Sequence, residues 1–401
     1  MLIDSNIFKE YEVLANKVLT DKPNIVLYGG GNTANICIPI FKSLGLNIKT
    51  ILDKSPVLID TQHQGIPIIH PNKHQDIKDI IVICVSEHFR DIEAELKARG
   101  FYNILPHFFY LFNKPVDLCI DTIILKNYYN AKWEFSEPKY GVLDSIDIPI
   151  TERCSLKCKD CSNLMQYFSK PKHANFTQMF AAIKKLLTAI EYCHEVRILG
   201  GEPFVNPEWH NYVKSLEKYA DKFDLIVIYT NATILPNEKA LQNLPVDRLF
   251  IKISDYGNSR QKIKESIDLF NKYKIPNYST KVFQWQDCGI LQKYNRSPKE
   301  NIEILNECCV KNTPVITEGK LFRCPYAASA WLLKAIPAFQ FPYVDLLNSE
   351  LADSEIKRQV QNIMKMNDAR ICDWCGGRPI TGSYIEPALQ TDKVLEYKIY
   401  E

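Results

Sequence analysis

IPITERCSLKCKDC, residues 148–161, is the stretch on which the reading of this chain turns. It places Cys154, Cys158 and Cys161 at C-x3-C-x2-C spacing directly after an apolar run, 142–150. A loop leaving a strand can converge three such thiolates on one 4Fe–4S cube. Clusters normally take four thiolates, so three leave one iron open to an exogenous ligand. Zinc also accepts thiolates, but no fourth ligand neighbours the three.

Working outward, the loop sits in a β/α rhythm. VLDSIDIPI (142–150), a helix over 177–190, VRILG (196–200), a helix over 209–219, DLIVIYT (224–230), RLFIKIS (248–254) and a helix over 260–273 alternate in order. Strands separated by helices predict a parallel sheet. The same rhythm runs through 24–110, while 111–140 is aromatic and irregular, and from about 291 the rhythm stops. The expected organisation is a Rossmann-like unit over 1–115, a linker over 116–140, a partial barrel over 141–290 and a small cysteine-rich region over 291–401. The fold class is α/β.

At 401 residues, 46% hydrophobic and 24% charged, the chain has material for several soluble cores. A net charge of +2 provides no basic field for nucleic acid or an anionic membrane. Thirteen cysteines cannot all pair and are too sparse for a secreted disulfide scaffold. The N-terminal residues read as an amphipathic helix rather than a signal peptide, and no apolar run reaches membrane-spanning length. The expected compartment is the cytoplasm, where clustered cysteines are metal ligands or catalytic thiols.

In the first unit a strand runs into GGGNTA, residues 29–34, a G-x-G-x-x-A turn opening a helix. Gly29 and Gly31 permit a tight turn and the approach of a phosphate to the helix N-terminus, and Asp53 ends the next strand, where a carboxylate can bind ribose hydroxyls. The alternative is a turn that the glycines merely close. The stretch YGGGNTANICIPIFKSLGLNIKTILDKS, with GIPIIH and DIIVICV behind it, resembles the nucleotide-sugar-binding domain of bacterial sugar-nucleotide acetyltransferases. Lys54 replaces the second acid of that family's pattern. Cys37 and Cys84 read as core residues.

The central unit resembles the radical S-adenosylmethionine (SAM) superfamily over about 142–290. The three-cysteine loop is that family's signature, and RILGGEP (197–203) and YTNA (229–232) agree with it, alanine standing where glycine is usual. The resemblance implies a SAM-binding 4Fe–4S cluster held by Cys154, Cys158 and Cys161. It further implies that Gly200, Gly201 and Glu202 hold the methionine ammonium, and that Thr230, Asn231 and Ser254 contact SAM. The implied chemistry is reductive cleavage of SAM to a 5′-deoxyadenosyl radical that abstracts a substrate hydrogen, with a flavodoxin- or ferredoxin-type electron donor.

Downstream, Cys308 and Cys309 precede VITEGKLFRC (315–324), which reads as a hairpin turning at Gly319, and then CDWC (372–375). Counted from Cys309 the pattern C-x9-G-x4-C, with Cys324, Cys372 and Cys375, resembles the auxiliary-cluster extension of radical SAM enzymes in its one-cluster (twitch) form. It implies an auxiliary 4Fe–4S cluster on these four; a zinc knuckle is the competitor, and Cys308 stays open as the alternative ligand. Cys119 and Cys193 read as packing residues. Cys288 follows the expected sixth barrel strand and is a candidate hydrogen-atom donor. Together these features imply an oxidoreductase or epimerase acting on a sugar or nucleotide-sugar. A peptide-modifying maturase and a non-enzymatic sensor are the other readings.

Overall fold

A computed structural model describes residues 9–85, 89–112, 142–337, 342–365, 369–378 and 382–400. The expected linker over 116–140 and Cys119 lie outside these. The chain divides into two compact units, Met1–Pro138 and Lys139–Glu401.

In the first unit α1 (Lys9–Asp21) precedes β1 (Asn24–Tyr28), α2 (Asn32–Ser43), β2 (Asn47–Leu52), β3 (Gln62–His63), β4 (Ile66–Ile69), β5 (Ile80–Ile83), α3 (Phe89–Ala98) and β6 (Ile104–Pro106). The sheet order is β3-β4-β2-β1-β5-β6, parallel except where β3 meets β4. β5, IIVI, is buried at every position, as a central parallel strand covered on both faces must be. The winding reverses between β1 and β5, which opens a crevice beyond their carboxyl ends. Gly29 sits there with φ +100°, and a side chain on it would meet Val85. Cys37 and Cys84 are buried.

The second unit is built on β7 (Val142–Pro149), β8 (Tyr192–Leu199), β9 (Phe223–Thr230), β10 (Leu249–Asp255) and β11 (Asn277–Lys281). These five pair in order and in parallel, the winding of a partial barrel. Ile146 and Ile148 of β7, Val196 and Ile198 of β8, and Ile226 and Ile228 of β9 bury one face of the sheet. They pack with Ile183 and Leu187 of α4 (Phe176–Ala189), Tyr212 of α5 (Trp209–Leu216), and Phe270, which lies beyond the short α6 (Glu238–Leu241) on α7 (Ile263–Lys272). Because strand side chains alternate, the other face carries Asp147, Glu195, Arg197, Tyr229 and Lys252. The Arg197 guanidinium carbon lies 5.9 Å and Lys252 Nζ 5.2 Å from the Tyr229 ring. Cys193 is buried.

The sixth strand expected before Cys288 is corrected. Residues 285–286 form β12, which pairs antiparallel with β16 (Tyr384–Ile385) in a separate two-stranded sheet. The preceding strand, NYSTK, buries none of its residues fully, so this edge of the large sheet has no apolar face to recruit a further strand. The sixth parallel neighbour is instead β13 (Val315–Thr317), which follows α8 (Pro298–Glu307) and joins the free edge of β7 at Val315↔Asp147. β13 turns through Glu318 and Gly319, both at positive φ, into β14 (Lys320–Phe322), the geometry a tight hairpin of right-twisted strands requires. β15 (Tyr343–Asp345) pairs with β14. α9 (Pro325–Leu332) and α10 (Asp353–Lys365) complete the unit.

Candidate active site

The three-cysteine loop leaves β7 and packs on the turn that leaves β8. Gly201 N–H donates to the Thr151 carbonyl (2.8 Å) and Glu202 N–H to the Arg153 carbonyl (2.9 Å). A Cβ on Gly200 would overlap the Thr151 carbonyl oxygen, and one on Gly201 the Arg153 carbonyl oxygen. The two glycines are therefore needed for backbone to lie on backbone. Glu202 is fully buried. Its Oε1 accepts from Thr230 Oγ1 (2.8 Å) and Phe204 N–H (3.2 Å), and its Oε2 from Asn231 N–H (2.8 Å). Burial pushes its carboxyl up to about 7, against the pull of these bonds. Its side chain thus faces inward and joins the GGEP turn to the end of β9.

Asn231 continues from there to the cysteines: its Nδ2 donates to Cys154 Sγ (3.6 Å) and Ser155 Oγ (3.3 Å). Ser155 Oγ also bonds Thr233 Oγ1. On the other flank Gln390 Nε2 donates to Cys158 Sγ (3.4 Å) while its Oε1 accepts from Lys157 N–H (2.8 Å). Burial holds the Cys154, Cys158 and Cys161 thiols above their ordinary value, Cys158 at about 11. Cation binding is what turns such thiols into thiolates, and N–H groups aimed at sulfur tune an iron–sulfur cluster. The residues present fit that group.

Ser254 lies at the end of β10, where Gln261 Nε2 bonds its carbonyl and that of Asn231, each at 2.7 Å. Thr230, Asn231 and Ser254 are thus brought to one end of the sheet with the cysteine loop. Tyr256, two residues on, is half-buried, with the three cysteines among its electrostatic neighbours and Trp285 edge-on at 5.5 Å. Sequence reasoning missed Tyr256, Gln261 and Gln390. Position two beyond a strand-end candidate could have flagged Tyr256. Nothing in the sequence flags Gln390, which lies 232 residues from Cys158.

In the second cysteine group the two adjacent cysteines differ in their surroundings. Cys308 ends α8 and is an electrostatic neighbour of both Cys324 and Cys372, whereas Cys309 is exposed and its thiol donates to Gln286 Oε1 (2.9 Å). Of the pair, Cys308 is the one with both Cys324 and Cys372 as electrostatic neighbours. Cys324 caps α9, its sulfur 3.5 Å from Ala327 N–H, and Cys375 sulfur lies 3.4 Å from Gly377 N–H. Burial raises the Cys372 thiol to about 12 and Cys324 and Cys375 likewise upward. Arg296 Nη1 donates to the Cys372 and Cys375 carbonyls, each at 2.8 Å. Among the described residues no three His, Cys, Asp or Glu close on a single-ion cage; the grouping rests on these neighbours and on loop packing.

Cys288 is 5% exposed. Its carbonyl accepts from Gly376 N–H (2.8 Å) and meets Cys375 Sγ at 3.9 Å, and it is an electrostatic neighbour of Cys161. It therefore sits between the two cysteine groups, not at an open mouth.

A cavity of about 160 Å³ lies where β7 and β13 part. Asp147, Thr151, His173, Asn163, Gln178 and Ser329 supply its polar lining. Asp147 Oδ1 is buried without a hydrogen bond, with Arg197 Nη1 3.8 Å away, and burial lifts its carboxyl to about 6.

In the first unit, Asp53 Oδ2 accepts from Gly30 N–H (2.6 Å) and Oδ1 from Ser55 N–H (2.7 Å), so the acid braces the glycine turn. Gly31 occupies the N-cap position of α2.

Compared with known proteins, residues 148–283 match the radical SAM superfamily. That segment holds the cysteine loop, the GGEP turn and the ends of β9 and β10, and the family implies a 4Fe–4S cluster and SAM. The chain is 24% identical over 180 residues to a GTP 3′,8-cyclase of Campylobacter jejuni subsp. doylei, covering 41% of this chain and 55% of that protein. It is 26% identical over 164 residues to one of Sulfurimonas denitrificans, covering 40% and 49%. The chain thus spans about half the length of the curated relatives it matches. Among solved structures, BtrN in complex with AdoMet and 2-DOIA aligns with a TM-score of 0.41 and 16% identity, over 63% of this chain and 98% of that one. Among the described residues no helix is long and apolar enough to cross a membrane.

Proposed function

We propose that this chain is a radical SAM enzyme with an auxiliary iron–sulfur cluster, acting on a sugar or nucleotide-sugar by epimerisation or alcohol oxidation. The observation that carries the radical SAM part is the seating of Gly200 and Gly201 on the carbonyls of the cysteine loop, which locks loop and turn together. When bound, the cluster and SAM would supply a radical able to take a hydrogen from an unactivated C–H bond. Cys154, Cys158 and Cys161 would hold the SAM cluster, and Cys308, Cys324, Cys372 and Cys375 the auxiliary one. Asn231 and Gln390 orient the first set through their amide donors.

The cavity beside β7 supports a small hydroxyl-bearing substrate. Its hydroxyl, amide and carboxyl groups match the donors and acceptors of a sugar, and Pro149, Leu199 and Val315 give an apolar wall. The first unit, taken by itself, has a crevice beyond β1 and β5 that in this reading binds a nucleotide. Each Asp53 oxygen keeps acceptor capacity after its backbone bond, enough for ribose hydroxyls. Cys288, in its buried position, would be the hydrogen donor in an epimerisation. The reactions, the domain roles and an electron donor of flavodoxin or ferredoxin type belong to this proposal.

The names of the matched relatives favour a second reading, a purine nucleotide as substrate. Anaerobically reconstituted protein, incubated with reductant, SAM and either a panel of nucleoside-diphosphate sugars or GTP, separates the two. Substrate-dependent 5′-deoxyadenosine is expected with a nucleotide-sugar; formation with GTP alone would replace the first reading by the second.

A further inference from the structure

Arg378 is 9% exposed, and among the described residues no Asp or Glu lies within ion-pairing distance of it. Its Nη2 donates to the Ser162 carbonyl (2.8 Å), the residue after Cys161, and its own carbonyl accepts from Cys309 N–H (3.1 Å). Its electrostatic neighbours are the thiols of Cys288, Cys375, Cys309 and Cys308, and it is in turn a neighbour of Cys161 and Cys324. A buried guanidinium needs a compensating charge. Carboxylates do not provide one here, and cysteines of both groups are its electrostatic neighbours.

We propose that Arg378 is the shared counter-cation of the two cysteine groups, a positioning residue that raises the reduction potential of the auxiliary cluster and electrostatically links it to the SAM cluster. The inference rests on the auxiliary-cluster reading above. The sign follows from charge: the reduced cluster carries one more negative charge, so a fixed cation beside it favours reduction. Arg296 and Arg323 differ, since the cysteines they neighbour, Cys372 for Arg296 and Cys324, Cys372 and Cys308 for Arg323, belong to the second group.

The test is an anaerobic potentiometric titration of the reconstituted full chain, read by electron paramagnetic resonance and preceded by iron and sulfide analysis. For Arg378→Gln the auxiliary midpoint should fall far enough to change the reduced-to-oxidised ratio about tenfold at a given potential, about 59 mV for a one-electron couple. The SAM cluster should shift in the same direction, and Arg378→Lys should restore most of the change. Loss of the auxiliary cluster in Arg378→Gln with retention in Arg378→Lys supports the same role. Unmoved midpoints in a fully loaded Arg378→Gln overturn this inference alone. Loss of the cluster in both variants alike overturns it too, because shape rather than charge would then be what matters. One cluster per wild-type chain overturns the auxiliary-cluster reading and this inference with it.

Discussion

The backbone N–H of Asn231 donates to Glu202 Oε2 across 2.8 Å, while the Asn231 side chain reaches Cys154 sulfur. One residue thereby ties the GGEP turn, the end of β9 and the cysteine loop into a single bonded path. Asn231→Ala removes the side-chain donors but keeps the backbone bond. It should leave thermal stability within about 1–2 kcal/mol of the parent while shifting the visible absorption and midpoint of the SAM cluster. An unchanged cluster spectrum would count against Asn231 as a sulfur donor.

Gly201→Ala tests the seating directly. The added methyl would collide with the Arg153 carbonyl and crowd Cys154 Cβ, so the loop must move. Overpacking of this kind costs about 1–3 kcal/mol, and iron bound at the three-cysteine site should fall sharply. Gly31→Ala, with no atom within 4 Å of the added carbon, is the matched control and should retain iron.

The choice between the adjacent cysteines has a clear readout. Cys308→Ser should lower reconstituted iron by about half, with Cys309→Ser near the parent. The reverse result would restore Cys309 as the ligand.

Glu202 sets a pH dependence of the cluster-free protein. Its folded value, about 7, lies above the ordinary 4.5, so between these the folded state holds a proton the unfolded state has released. Its contribution to stability is present below pH 4.5 and is lost as pH rises to about 7, a change of about 3 kcal/mol. Glu202→Gln should flatten the fall in Tm between pH 5 and 7.5; an identical slope in the variant would assign the dependence elsewhere.

Much of this was legible in the sequence because it is local. Alternating strands and helices announce a parallel sheet, and C-x3-C-x2-C with G-G-E-P carries the resemblance to the radical SAM superfamily. What was not legible depends on distant partners. The attachment of β13 to β7 needs the free edge of a strand some 165 residues upstream. Spacing differs by only one residue between Cys308 and Cys309 at the end of α8, so it does not choose between them. The place of Asp53 at a strand end suggests a ribose ligand, while its bonds to Gly30 and Ser55 depend on how the turn folds.

Lys159 N–H bonds the Leu389 carbonyl and Thr391 N–H the Lys157 carbonyl, each at 2.7 Å, with Gln390 bridged to Cys158 between them. The outer edge of the cysteine loop is therefore completed by residues more than 230 positions later. During translation that edge stays unpaired until residue 391 has been made and has left the ribosome. Native pairing around this loop is therefore a late event in the life of the chain.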